Sequence, residues 1–358
     1  MTLITNKLPF LILGFFLLMM TACSNNDETE PDDNYISAEA YLNNIGYSGS
    51  VLIHKNGQDI LRKGFGMADK ANGVPNDPSL IYRIGSVTKS FTATAIMNLK
   101  RDGLIESLDQ KLSDFDETFP HGDKITIRHL LTHQSGIPEY STIVGEYDKK
   151  GQQLDKDEIL ELIFELTEEK GLEFTPGQYV SYCNSNFYIL GMLIEELTDM
   201  TYQEYLHKKI YEPLNLQNTG KSPDIIQSDN RAKGYNQDAK ADSYRMDIAY
   251  SAGEMESNIT DLEKWGKAFL GDYFTQAEKS EIFAEKHETH GVNTVGAGWF
   301  TLNFEGRKIY HHGGDVNGFT SLLMLVPESN GIVILLSNEQ DKGEQRIQIM
   351  EQFLRKEF

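Results

Sequence analysis

Ser86-Val87-Thr88-Lys89 is the only Ser-x-x-Lys in the 358 residues of the chain, and its two ends suit acyl transfer. A free serine hydroxyl is a weak nucleophile and needs a base beside it. The motif falls where Gly85 ends an extended run, Leu80 to Ile84, and a helical pattern opens in SVTKSFTATAIMNLKRDGL. Residues three apart on a helix share a face, so Ser86 and Lys89 are expected to point into one space, a turn apart. A buried lysine can serve as the base, because desolvation disfavours its ammonium and lowers its pKa. The helix N-terminus adds positive potential where the serine oxygen sheds its proton. An exposed Ser and Lys on an ordinary helix have the same spacing, so the pair gains meaning only from its partners.

Two further segments supply candidates. FTPGQYVSYCNSNFYILGMLIEEL, residues 174–197, holds Tyr182-Cys183-Asn184 just before an apolar helix. A tyrosine can act as a general base or proton relay where nearby cations favour its phenolate. An asparagine two residues on can hold a substrate amide. The plainer alternative is a core tyrosine beside an N-cap. YHHGGDVNGFTSLLMLVPE, residues 310–328, places His312-Gly313-Gly314 ahead of a strand rich in Leu, Met and Val. Glycines let a backbone edge approach a ligand closely, and N–H groups there can face a developing oxyanion. The plainer alternative is a glycine turn between strands.

In this order the three segments resemble the serine β-lactamase and penicillin-binding protein superfamily. Its class A members carry Ser-x-x-Lys, Ser-Asp-Asn and Lys-Thr-Gly. Tyr-x-Asn and His-Gly-Gly look instead like the branch of class C β-lactamases, D-alanyl-D-alanine carboxypeptidases, D-aminopeptidases and related esterases. ITIRHLLTHQSGI (125–137), PLNLQNTG (213–220) and SAGEMESNITDLEKW (251–265) are similar too, and the likeness runs from about Ser48 to the C-terminus. It implies that Ser86 is the acylated nucleophile and that Lys89 shares or relays its proton. Tyr182 would activate Ser86 or, later, the deacylating water; which of the two is the base stays open. Asn184 would touch the acyl amide. The backbone N–H groups of Ser86 and Asp315, just past Gly313 and Gly314, would form the oxyanion hole. No cofactor and no metal are implied.

His312 stands where many relatives carry Lys. A lysine there suits a substrate carboxylate, which penicillins and D-Ala-D-Ala ends both have. A histidine is mostly neutral at pH 7, so His312 would hold a carboxylate less firmly, or hydrogen-bond Tyr182 instead. The function expected from the resemblance is a serine hydrolase that forms an acyl-enzyme on an amide or ester of a small peptide-like or acyl substrate. A D-alanyl-D-alanine carboxypeptidase, a slow β-lactamase and a non-catalytic binding module are the alternatives. Cys183 is expected to point away from Ser86 as a small apolar core residue.

The elements that must position these residues read as an α+β fold. YISAEAYLNNIGY forms a first helix; Ser48 to Lys55 alternates, Asn56-Gly57 signals a hairpin turn, and Gln58 to Gly66 returns. From about Phe91 to Lys286 helical patterns dominate. Strands resume at Gly296 to Leu302, Lys308 to His311, Phe319 to Pro327 and Gly331 to Ser337, and a last helix sets Ile347, Met350, Phe353 and Leu354 on one face. Strands at both ends predict one antiparallel sheet flanked by N- and C-terminal helices, plus a mostly helical lobe. Ser86 and His312 would sit on the sheet side and Tyr182 on the helical side of a cleft. His129 and His133 have zinc-compatible spacing, but with no His-Glu-x-x-His pattern or acidic third ligand they read as core or helix-terminal residues. His311 should be structural, because adjacent strand residues face opposite ways.

The N-terminus predicts a compartment. Lys7 precedes an apolar run from Leu8 to Met20, too short to span a bilayer comfortably, and Thr21-Ala22-Cys23 follow. Residues 1–22 read as a signal peptide. The cysteine after small residues resembles a bacterial lipoprotein cleavage box, with Cys23 as the lipidated first residue; cleavage without lipid would give a soluble secreted enzyme. Residues 23–34, rich in acids, read as a solvated tether, leaving 35–358 as one catalytic domain on the periplasmic side of the membrane or the outer cell surface. With Cys23 lipidated, Cys183 has no partner, and the domain must rely on its core. A formal charge of -21 repels phosphate backbones, which excludes nucleic acid as a partner. A small-molecule or peptide substrate and the membrane remain, with the oligomeric state open.

Overall fold

The computed structural model describes residues 35–221, 230–241, 245–284, 286–288, 293–340 and 342–358. The leader, Cys23 and the acidic tether lie outside them. Helix α1 (Ala38–Asn44) starts at Ser37, whose side chain accepts the Ala40 N–H. Strands β1 (Gly49–Lys55) and β2 (Gln58–Phe65) are joined by Asn56 and Gly57, both at positive φ as a two-residue hairpin turn requires. The C-terminal third returns as β3 (Lys286–Glu288), β4 (Asn293–Gly296), β5 (Trp299–Phe304), β6 (Arg307–Val316), β7 (Phe319–Val326) and β8 (Gly331–Ser337). These eight strands form one antiparallel sheet in the order β2-β1-β8-β7-β6-β5-β4-β3. Pairing of β1 with β8, from Gly49 opposite Ser337 to His54 opposite Ile332, joins the two ends of the chain. The α+β expectation holds.

The sheet is covered on both faces, and its period of two sorts the core. Leu52, Leu323, Leu325, Ile332, Ile334 and Leu336 pack into the core shared with the helical lobe. Val51, Ile53, Leu322, Met324, Val333 and Leu335 pack into a second core with Leu42 of α1 and Phe353 of the C-terminal helix. This corrects the half-exposed alternation expected of Ser48 to Lys55: β1 is buried from Gly49 to His54, because helices lie on both sides.

Helix α2 (Thr88–Arg101) runs between the lobes and is buried on every side from Thr88 to Leu99. Its hydroxyls are satisfied internally: Ser90 donates to the Val87 carbonyl at 2.8 Å, Thr94 to Ser90 at 2.9 Å and Thr92 to Ser251 at 2.6 Å. Helices α3 (Lys156–Lys170), α4 (Asn184–Thr198) and α5 (Ile259–Leu270) build the helical lobe and its junction with the sheet, and α6 (Gly343–Lys356) closes the far face.

Three local expectations change. The run Gly296 to Leu302 is two strands, split at Ala297-Gly298, with Gly298 at a φ of 70°. His312-Gly313-Gly314 lies inside β6 rather than before a strand or in a turn. On α6 the buried face takes Arg346 and Ile349 along with Met350, Phe353 and Leu354, while Ile347 is half-buried.

Candidate active site

Gly85 has a φ of 50°, a left-handed value that glycine adopts without strain, and it opens the 3-10 turn Gly85–Val87 just ahead of α2. Ser86 therefore sits on the turn, not in the α-helix, and Lys89 comes from the helix's first turn. Lys89 is fully buried. Its Nζ lies 3.2 Å from Ser86 Oγ, 2.8 Å from Asn184 Oδ1 and 2.8 Å from the Ala252 carbonyl oxygen. None of these partners is charged. Burial lowers its pKa to about 7, against a smaller opposing pull from Glu139. A neutral amine has two N–H donors and one lone pair. Asn184 Oδ1 and the Ala252 oxygen can only accept, so they take the two donors and leave the lone pair for the Ser86 hydroxyl.

The helical wall is held by the loop His133–Tyr140. The Cys183 N–H donates to His133 Nδ1 at 3.1 Å and the Ser181 N–H to the His133 carbonyl at 2.9 Å. Ser185 Oγ donates to the Pro138 carbonyl at 2.6 Å. These bonds clamp Tyr182, whose ring stacks on His133 with centroids 4.4 Å apart. Lys89 Nζ lies 4.8 Å from the centre of the Tyr182 ring, and the Tyr182 hydroxyl is bonded to Ser86. Burial, reinforced by the charges of Glu139 and Asp315, pushes the phenol well above its ordinary range. Cys183 turns away, its thiol directed to the Ile137 carbonyl at 3.3 Å.

Strand β6 closes the other wall. A methyl on Gly314 would lie 2.0 Å from the Ile84 oxygen and 2.9 Å from the Ser86 nitrogen, and one on Gly85 would lie 3.0 Å from the Asp315 nitrogen. The two amides named for the oxyanion hole thus border the same close contact. A methyl on Gly313 would instead meet the Arg346 guanidinium at 2.8 Å on the opposite face. His312, on the Gly314 face, is 2 % exposed. Its Nδ1 bonds the Gly313 carbonyl at 2.6 Å and so carries the proton, while Nε2 is buried with no partner among the described residues. Burial and the Lys89 charge lower its pKa to about 3, so it is neutral. No bond joins His312 to Tyr182; their ring centroids are 6.4 Å apart.

The family model described as Beta-lactamase matches residues 45–353. This chain belongs to the beta-lactamase family. It is 28% identical over 328 residues to "Putative penicillin-binding protein PbpX" of Bacillus subtilis (strain 168), covering 90% of this chain and 78% of that one. Longer Staphylococcus aureus relatives extend beyond the match, which spans 63% of the first of them. Among solved structures, the octameric penicillin-binding protein homologue from Pyrococcus abyssi superposes with a TM-score of 0.77 at 27% identity, covering 89% of this chain and 76% of that one. The fold is also similar to that of a D-amino acid amidase from Ochrobactrum anthropi SV3, with a TM-score of 0.73 at 23% identity over 86% of this chain and 92% of the amidase. Family and neighbours support a β-lactamase-like serine hydrolase.

Within this family member, the structure joins Ser86, Lys89, Tyr182 and Asn184 by direct contact, with His312, Gly314 and the Asp315 amide facing them and Gly313 backing them. Other histidines have backbone or packing roles: His129 Nδ1 accepts the Thr126 N–H at 3.2 Å, and His311 stacks on Phe300 at 5.8 Å. His54, Asp59 and Glu263 bring ligand-type atoms within 4.8 Å. Arg62 and Lys267 already pair with those acids, so this group is an ion-pair network rather than a metal centre. Two site residues escaped the sequence reading. Glu139 accepts the Asn184 N–H at 2.5 Å, and Arg346 supports β6 from behind. Glu139 lies two residues past the ITIRHLLTHQSGI stretch, the one signal that pointed near it; the apolar periodicity of α6 gave no hint of Arg346.

Proposed function

We propose that the protein is a serine hydrolase that cleaves an amide or ester of a small peptide-like or acyl substrate through an acyl-enzyme on Ser86. The observation that carries this reading is the buried Lys89 amine, 3.2 Å from Ser86 Oγ with its other two contacts on pure acceptors. Lys89 takes the Ser86 proton as Oγ attacks the carbonyl carbon. The tetrahedral oxyanion forms against the Ser86 and Asp315 amides. The raised phenol of Tyr182 is a proton donor rather than a base in the free enzyme. It passes a proton to the leaving group as the scissile bond breaks and regains one from the Lys89 ammonium. Water then attacks the ester on Ser86 while giving a proton to the neutral Lys89 amine, and the acyl–Oγ bond breaks as that proton returns to Oγ. Asn184 holds Lys89 through Oδ1 and offers its amide N–H to the substrate.

The neutral His312 speaks against efficient binding of a β-lactam carboxylate. Incubation with a fluorescent fluorophosphonate and, separately, a fluorescent penicillin, followed by intact-mass analysis, tests the scheme. One fluorophosphonate adduct on the wild type and none on Ser86→Ala is the expected result. Labelling or ester hydrolysis that persists in Ser86→Ala refutes the nucleophile. A penicillin adduct that forms readily and stays for hours favours the penicillin-binding alternative.

A further inference from the structure

Helix α6 does not close tightly over the back of the sheet. Lys342, Gln345 and Arg346, three and four residues apart and so on one face, stand over Tyr47, Thr320 and Leu335, and a cavity of about 10 Å³ lies between them. Thr320 alternates with Leu322 and Met324 on β7, which places it on the side of the second core, away from Ser86. The walls carry donors. Tyr47 Oη and Thr320 Oγ1 form no hydrogen bond among the described residues, although the two residues are only 5 % and 4 % exposed. Burial, reinforced by Tyr82 and Glu339, pushes the Tyr47 phenol well above its ordinary range, so the group keeps its proton. Arg346 commits Nη1 to the Asp315, Gly314 and Ser321 oxygens, and its Nε and Nη2 bond nothing among the described residues.

Helix α6 also starts at Lys342 with no side-chain cap, which leaves its first N–H groups and the positive end of its dipole beside the cavity. The acids in reach are matched: Glu339 by Lys70 at 3.0 Å and Lys342 at 3.5 Å, Asp315 by Arg346 at 2.9 Å. Buried hydroxyls are costly to leave unpaired, so the cavity suits a guest that accepts. A volume of about 10 Å³ takes one water-sized guest and excludes a carboxylate, sulfate or phosphate. A water offers two lone pairs and brings two protons that need acceptors of their own, whereas a monoatomic anion accepts on every side.

We infer that this cavity is a binding site for a single chloride ion, held by Tyr47 Oη, Thr320 Oγ1 and the unbonded edge of the Arg346 guanidinium at the start of α6. The ion ties α6 to β7 and to the segment entering β1. It adds a counter-charge behind the strand that carries the Asp315 amide, without touching the reacting atoms.

The test measures thermal unfolding of the full-length protein in sodium chloride, sodium bromide and sodium gluconate at one ionic strength, so that screening is equal. Chloride and bromide are expected to raise the midpoint saturably, by at least about 2 °C over gluconate. Tyr47→Phe and Thr320→Val each keep the shape of the side chain and drop one hydroxyl. In both, the chloride concentration at half-effect is expected to rise at least about fivefold. Crystals of the wild type grown in bromide give a second reading, with anomalous density expected in the cavity. Coincident melting in chloride and gluconate, an unchanged half-effect in both variants, or an ordered water only in the bromide crystals overturns the inference. Should a variant fail to fold, the bromide crystals decide. None of these readings involves Ser86, so the chloride site and the acyl-enzyme stand or fall separately.

Discussion

Two buried cations lie on opposite faces of β6, and the molecule treats them differently. Lys89 in front is fully buried and touches only uncharged oxygens. Arg346 behind is 7 % exposed, and its Nη1 donates to Asp315 Oδ2 at 2.9 Å and to the Gly314 and Ser321 carbonyls, each at 3.2 Å. A cation given a carboxylate becomes a strut. A cation denied one at contact, and stripped of water, has its pKa drawn down until it can exchange a proton. The negative charge that Lys89 feels most is that of Glu139, which only partly offsets burial.

The largest break in this comparison comes from the front. Lys89→Met keeps the volume and removes the amine, and kcat/KM for an activated ester is expected to fall by about 10²–10⁴, the span of general acid–base effects. Stability should change by less than about 2 kcal/mol: two oxygens lose a donor, but a desolvated amine is also removed. Ester kinetics beside urea unfolding check both halves, and a variant within tenfold of wild-type rate would remove Lys89 from the chemistry. The mirror substitution at the back is Arg346→Met. It strands two buried carbonyls and frees β6 to shift away from the Ser86 turn, at an expected cost of about 2–4 kcal/mol. Unfolding measurements should show the stability loss first. A variant of unchanged stability that is nonetheless inactive would make Arg346 something other than a support.

How far these roles were legible depends on the distance over which each is decided. Ser86 and Lys89 were readable together because their juxtaposition is local, although the 3-10 turn under Ser86 follows from Gly85 at positive φ and its contact with β6. Tyr182 and Asn184 had no local signal beyond resemblance, since the loop His133–Tyr140 places them. The glycines of β6 read as lying just ahead of a strand rather than within one, because glycine is rare in strand interiors. Their cause is the Ile84 oxygen for Gly314 and the Arg346 guanidinium for Gly313, both far off in sequence. Glu139 and Arg346 went unread for the same reason: Glu139 matters through the Asn184 amide, and Arg346 occupies a position on α6 that apolar periodicity would fill with a hydrocarbon.

The smallest effect sharpens the comparison most, because it separates charge from packing. The folded-state pKa of Lys89, about 7, lies below its ordinary value. The amine accepts the Ser86 proton only when neutral, so activity is held above this pKa and lost as pH falls through it. Relative to its plateau, kcat/KM for an uncharged ester should drop about tenfold one pH unit below the midpoint, with no matching limb from His312, which is already neutral there. The Glu139 charge favours the ammonium, so Glu139→Gln should move the acid limb to lower pH, whereas Arg346→Met should leave its position where it was. A limb that fails to move in Glu139→Gln, measured on the same ester, would mean that the titrating group is not Lys89, and the contrast between the two faces of β6 would lose its chemical half.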